Sequence, residues 1–164
     1  MNDALRLKIC DLLHENAKLS AETIARMLGE TPDVIESTIR ELEEEKVILR
    51  YSAVVNWDKL PVNQVTAVID VKVLPQREVG FDAIARKIYR FDEVKSVALM
   101  SGGYDLQVTV VGRDLREVSR FVSEKLATLE NVTSTATHFL LKTYKSDGVI
   151  YDDTDGERRL MITP

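Results

Sequence analysis

Residues 19–48, LSAETIARMLGETPDVIESTIRELEEEKVI, constrain the fold more tightly than any other stretch of the chain. Two short amphipathic helical patterns are joined there by a tight turn. Ser20 caps the first, and Ile24, Ala25 and Leu28 give it one apolar face. Gly29 supplies the permissive backbone position at which the chain turns. Thr31 caps a second helix with Pro32 at its first position, where the missing N–H costs nothing. Ile35, Ile39 and Leu42 follow as its buried stripe. Helix, short glycine-containing turn, helix is the helix-turn-helix pattern, whose second helix can enter a DNA major groove.

A preceding helix starts at Asn2 or Asp3 and carries Leu5, Ile9, Leu12 and Leu13 on one side, which makes the unit tri-helical. Residues 47–55 alternate weakly and predict a short extended wing and exit strand. Residues 57–63, with turn residues and a proline, read as a linker between a first domain over 1–56 and a second over 64–143. In the second, 64–74 is a β-branched strand with Val65, Ala67, Ile69, Val71 and Val73 on one face, and 79–91 is helical. Strands over 94–101 and 104–111 flank Gly102-Gly103. Asp114 caps a helix to about residue 129, and 132–143 is the last strand. The order β-α-β-β-α-β is the ferredoxin-like split motif, so the fold class is α+β. Residues 144–164 form a C-terminal extension, with a hairpin expected around Asp153, Asp155 and Gly156.

Charge bears on function. The net charge is −5, and residues 1–60 hold 8 Lys+Arg against 12 Asp+Glu, so the helix-turn-helix lies in the more acidic part. That runs against the electrostatic footprint of a DNA reader. On the second helix Asp33, Glu36, Ser37, Arg40 and Glu44 point away from the apolar stripe, and only Arg40 among them is basic. Lys18, Arg26, Lys46 and Arg50 flank it. A single cysteine, Cys10, leaves no intrachain disulfide and suits a reducing cytosol, so a cytoplasmic location is expected. Catalytic raw material is sparse. The histidines, His14 and His138, are far apart, and HExxH, paired CxxC, Walker and GxSxG motifs are absent. Neither an enzyme, a metal site nor a cofactor is expected.

One loop has binding potential. In Ser101-Gly102-Gly103-Tyr104-Asp105, two glycines let backbone N–H groups approach a carboxylate, and Asp105 can hold an ammonium group. Those are the two ends of an amino acid, although a plain hairpin turn explains the same residues. The strand over 132–143 places Thr133, Thr135 and Thr137 on one face and Ser134, Ala136 and His138 on the other.

The helix-turn-helix segment, the exit run LRYSAVVN, the hairpin SGGYDLQVTV and the strand ENVTSTATHFLLK, in this order, resemble the Lrp/AsnC (feast/famine) transcription regulators over about residues 3–143. The resemblance implies an N-terminal winged helix-turn-helix that binds double-stranded DNA and a ferredoxin-like domain that binds a small effector, often an amino acid. It also implies homodimers formed through the sheets, and commonly octamers. Carried onto this chain, it makes Ser20, Thr31, Asp33, Ser37, Arg40 and Arg50 the DNA-contacting residues. The effector residues become Ser101, Gly102, Gly103, Tyr104, Asp105, Thr135, Thr137 and His138. An oligomeric interaction module with weak or no DNA binding is the alternative reading. Two positions depart from the family pattern: basic residues are usual where Glu36 and Ser37 stand, and a glycine where Lys46 stands.

Overall fold

Local capping and apolar spacing decide where the three N-terminal helices begin and end. The computed structural model describes residues 3–74 and 80–151, and the chain divides into two units between Val55 and Asn56. In the first, α1 is Asp3–Glu15, α2 is Ala21–Leu28 and α3 is Pro32–Glu44. The Ser20 hydroxyl accepts the Thr23 N–H at 3.3 Å at the start of α2. Gly29 closes α2 in the left-handed conformation, φ 73° and ψ 30°, and Glu30 N–H returns to Ala25 O. Thr31 stands at the N-cap of α3 with extended backbone, but its hydroxyl makes no capping bond, so Pro32 and the backbone alone start that helix.

The core of this unit is Ile9, Leu13, Ile24, Ala25, Ile35 and Leu42, with Cys10, Ile39 and Ile48 packed against it. Helix α3 ends in a Schellman arrangement: Lys46 N–H bonds Glu43 O at 3.1 Å and Val47 N–H bonds Leu42 O at 2.9 Å. Lys46 occupies the left-handed position, φ 60°. Residues 47–55 form no strand, which differs from the expected wing and exit strand. A single extended run finds no second run in its own unit to pair with, so β-propensity alone leaves it without a ladder.

The second unit opens with a 3-10 turn, Trp57–Lys59, capped by Asn56, inside the stretch expected to be a linker. Then follow β1 Val65–Val73, α4 Gly80–Ile88, β2 Val94–Leu99, β3 Leu106–Gly112, α5 Leu115–Phe121 and β4 Val132–Phe139. The strands form one antiparallel sheet in the order β2-β3-β1-β4. Helix α5 is capped by Asp114 Oδ1, which accepts Glu117 N–H at 2.8 Å, and runs on as a π-turn, Val122–Leu126.

Both helices pack on one side of the sheet. Ala67, Ile69, Val71, Leu106, Val108 and Val110 bury there against Ile84, Ile88, Val118, Phe121 and Leu126. Side chains alternate across a strand, so Thr66, Val68, Asp70, Gln107 and Thr109 turn to the opposite face, which no helix among the described residues of this unit covers. Beyond the sheet, Lys145–Ser146 (β5) pairs with Val149–Ile150 (β6) around Asp147 and Gly148, φ 48° and 78°. Two consecutive positive φ values mark the type I′ turn that Asp-Gly favours. This hairpin precedes the one expected at residues 153–156, which lies outside the described residues, as do Asn2 and the strand-like run 158–163.

Candidate DNA-contacting helix and effector loop

In the first unit the exposed side of α3 presents Asp33, Glu36, Ser37, Arg40 and Glu44. Arg40 and Arg50 are exposed and make no hydrogen bond or ion pair among the described residues, so both guanidinium groups are available to phosphate or base oxygens. Ser37 donates its hydroxyl proton to Val34 O at 3.0 Å, beside Thr38, whose hydroxyl bonds the same carbonyl at 2.7 Å. Its oxygen can still accept, but as a donor Ser37 is occupied. Ser20 is committed to its own helix: besides capping Thr23, it holds the Glu22 carboxyl below the usual range by a hydrogen bond.

The acidic end of α3 is partly neutralised from within. The Arg6 guanidinium donates to both oxygens of Glu45 and holds that carboxyl low. Tyr51 donates its hydroxyl to Glu43 Oε1 at 2.7 Å, and burial, then this bond, pushes the phenol up to about 12. Asp33, Glu36 and Glu44 have no such partners among the described residues and face any approaching phosphate directly. Sequence reading had no signal for Tyr51, because the residue lies in a run that reads as extended strand.

In the second unit the loop between β2 and β3 is closed by Met100 N–H to Asp105 O at 2.8 Å. Ser101, Gly102 and Gly103 are exposed, and their backbone N–H groups donate to nothing among the described residues. Neither glycine needs a positive φ, and a Cβ on either would meet nothing within 4 Å. The hairpin itself therefore gives no steric reason for glycine here. Tyr104 and Asp105 are half-buried. Gln107 Nε2 donates to the Tyr104 hydroxyl at 3.3 Å. Asp105 Oδ2 accepts Val73 N–H at 2.8 Å, so one carboxylate oxygen holds the end of β1 and the other remains for a ligand cation.

The β4 residues do not share one side. Thr135 and Thr137 pair with Val71 and Ile69 and face the helices, whereas His138 pairs with Val68 and faces the open side. His138 Nε2 sits 3.1 Å from Asp70 Oδ2. Thr135 is joined to the loop through β1, since Val71 pairs with Thr135 and also receives Asp105 N–H at 3.0 Å. Thr137 and His138 lie further along the strand. Asp70 was missed in the sequence, although one carboxylate in the run VTAVIDVKV was a signal. A groove of about 680 Å³ is lined by residues 62–65 and 113–116 and includes none of the predicted effector positions. Among the described residues no cluster of His, Cys, Asp or Glu is arranged for a metal, and no helix is long and apolar enough to cross a membrane.

Comparison with known proteins places this geometry in context. The Lrp/AsnC ligand binding domain matches residues 66–150. The uncharacterized HTH-type transcriptional regulator YugG of Bacillus subtilis is 49% identical over 158 residues, covering 96% of this chain and 95% of that protein. The proline dehydrogenase transcriptional activator of Rhizobium radiobacter is 26% identical over 147 residues, 90% of this chain and 94% of that one. Among solved structures, a transcriptional regulator from Neisseria meningitidis in complex with L-Met superposes with a TM-score of 0.70 at 21% identity, covering 89% and 94% of the two chains.

Proposed function

The chain belongs to the Lrp/AsnC family of HTH-type transcriptional regulators, and from that premise we propose that it binds operator DNA under the control of a small amino-acid-like effector. Residues 1–56 form the DNA-binding domain, with α3 in the major groove. Arg40 makes the main contact, supported by Arg50, with the Ser37 oxygen as an acceptor and Ser20 and Thr31 at the starts of the two helices; Asp33 opposes the phosphates. Residues 64–143 form the effector and oligomerisation domain, and 144–164 its extension. Two copies dimerise through the open sheet faces and assemble further, towards octamers. Two helix-turn-helix units about a dimer axis then meet half-sites about one helical turn apart.

The single observation that carries the effector reading is the loop. Three unpaired N–H groups at Ser101, Gly102 and Gly103 offer a carboxylate site, and Asp105 offers an anion for an ammonium group. The L-Met in the neisserial regulator supports an amino acid as the class of ligand. Such an effector acts by binding one assembly or DNA-competent state more tightly than another. Thr135 is close enough through β1 to share the loop's ligand; Thr137 and His138 serve it only in an assembly that wraps the strand.

A second reading, an oligomeric partner protein with little DNA affinity of its own, is favoured by the exposed carboxylates of Asp33, Glu36 and Glu44 on α3. Genome-wide capture of DNA bound to the tagged protein separates the two. The regulator reading expects discrete enriched sites. On a captured fragment, one amino acid among the twenty should then change the affinity at least threefold. Uniform recovery of DNA, with no response to any amino acid, contradicts it.

A further inference from the structure

Helix α3 presents acceptors beside a single cation. At about 100° per residue, Glu36, Ser37 and Arg40 all lie away from the buried Ile35 and Leu42, and all three are exposed. Glu36 stands four residues before Arg40, the spacing at which a carboxylate and a guanidinium pair along a helix. Neither makes a hydrogen bond or ion pair among the described residues. Between them, the Ser37 hydroxyl donates to Val34 O at 3.0 Å and the Thr38 hydroxyl to the same carbonyl at 2.7 Å. Arg40 is therefore the side chain of α3 whose donors are left for a partner. Next to it stand a free carboxylate and a hydroxyl oxygen that can only accept.

We propose that Glu36 determines the sequence specificity of α3, accepting a hydrogen bond from the N4 amino group of a cytosine, while Arg40 one turn later takes N7 and O6 of a guanine. The proposal rests on the reading that α3 enters the major groove of operator DNA. Amino groups on cytosine and adenine are the donors that base edges offer there. The adenine amino group lies beside the acceptor N7, which repels a carboxylate, whereas cytosine shows its amino group without an acceptor of its own. Guanine offers two acceptors, and thymine an acceptor and a methyl group.

The carboxylate weakens binding to every sequence, because phosphates repel it, and the amino group of one base offsets that loss. A wrong base leaves the carboxylate desolvated against another acceptor or a methyl group. Discrimination then comes as much from what Glu36 rejects as from what it binds. Helix geometry gives the spacing. Four residues rise about 6 Å along α3, against about 3.4 Å between stacked base pairs, so the cytosine and the guanine lie roughly two base pairs apart.

The test is a captured genomic fragment with each base pair of one half-site replaced in turn, its affinity read by fluorescence anisotropy. Wild type is expected to lose about fivefold or more when one C·G pair is changed. Glu36→Gln should prefer adenine at that same pair, because an amide both accepts from N6 and donates to N7, and should keep the wild-type ranking elsewhere. Arg40→Ala should lose the preference for guanine roughly two pairs away. Glu44→Gln removes an equal charge from the same helix and should tighten binding to every duplex without changing any ranking. Circular dichroism melts show that each variant folds. Should Glu36→Gln not fold, Glu36→Ala takes its place and should bind all four bases at that pair within about twofold. A Glu36 variant that keeps the wild-type ranking at every pair, or Glu44→Gln altering the same pair, overturns the proposal. If wild type prefers no sequence, the reading of α3 as a DNA reader fails and this inference with it. If wild type prefers discrete sequences and Arg40→Ala weakens them while Glu36→Gln leaves every ranking unchanged, the inference about Glu36 alone fails.

Discussion

Arg6 on α1 grips Glu45, one residue past the end of α3, with both guanidinium nitrogens meeting both carboxylate oxygens. The pair joins the first and last helices of the tri-helical unit at the point where α3 would otherwise end in uncompensated acid. The hydrogen bond from Arg6 holds the Glu45 carboxyl below its ordinary 4.5. A carboxyl lowered on folding stabilises above the ordinary range, and that contribution is lost as pH falls through the folded value. Arg6→Ala should therefore lower the thermal midpoint at pH 7 and make little difference once the pH is low enough to protonate Glu45 in the folded chain. Equal losses at both pH values would contradict the assignment.

Tyr51 gives the opposite end of the scale. Its phenol is pushed up to about 12, first by burial and then by the bond to Glu43. The neutral form is favoured on folding, so this stabilisation is present below about pH 10 and fades as pH rises through the folded value. Absorbance titration near 295 nm of the wild type minus Tyr51→Phe should show one tyrosine ionising late, near pH 12. A difference curve centred at the ordinary tyrosine value would refute it.

Two helix ends in this unit have the same left-handed backbone with different residues: Gly29 at φ 73° and Lys46 at φ 60°. A side chain there costs about 1–2 kcal/mol. Nothing lies within 4 Å of a Cβ built on Gly29, so backbone strain alone should make Gly29→Ala destabilising by about 1 kcal/mol. Lys46→Gly should do the reverse and stabilise by about 0.5–1 kcal/mol, less than the strain because glycine gains freedom when unfolded. Urea unfolding of the three proteins checks both signs.

Asp105 has two jobs that a single truncation would confuse. Asp105→Ala orphans the Val73 N–H and should cost about 1–3 kcal/mol regardless of ligand. Asp105→Asn keeps an acceptor for that N–H but removes the charge. The asparagine variant should melt close to wild type and lose at least tenfold in effector affinity by calorimetry, once the effector is known. Unchanged effector affinity would remove Asp105 from the site.

What was legible in the sequence was whatever short-range chemistry decides. Ser20, Gly29, Pro32 and Asp114 announce helix ends within a few residues, and the alternation of residues 65–73 announces a sheet with one buried face. Where two bonding options compete, the sequence was silent. Thr31 looks like a capping hydroxyl, yet the helix starts without it, and Asp105 looks like a free anion, yet it anchors a strand. Asp-Gly appears at both 147–148 and 155–156, and only the earlier pair falls among the described residues, where it makes a turn. The Asp70–His138 contact joins residues 68 positions apart on diagonal places of two strands, and such a contact depends on register, which local pattern does not reveal.

The central claim is that α3 reads DNA despite its acidic surface, and a salt titration of operator binding tests it most directly. Fluorescence anisotropy on a captured genomic fragment, from 50 to 300 mM salt, should show wild-type affinity falling steeply with salt. Arg40→Ala should bind at least fivefold more weakly, with a log–log slope shallower by about 0.9 per phosphate contact removed per protomer. A wild type that shows no salt-dependent binding, or an Arg40→Ala protein with the wild-type affinity and slope, would contradict the account.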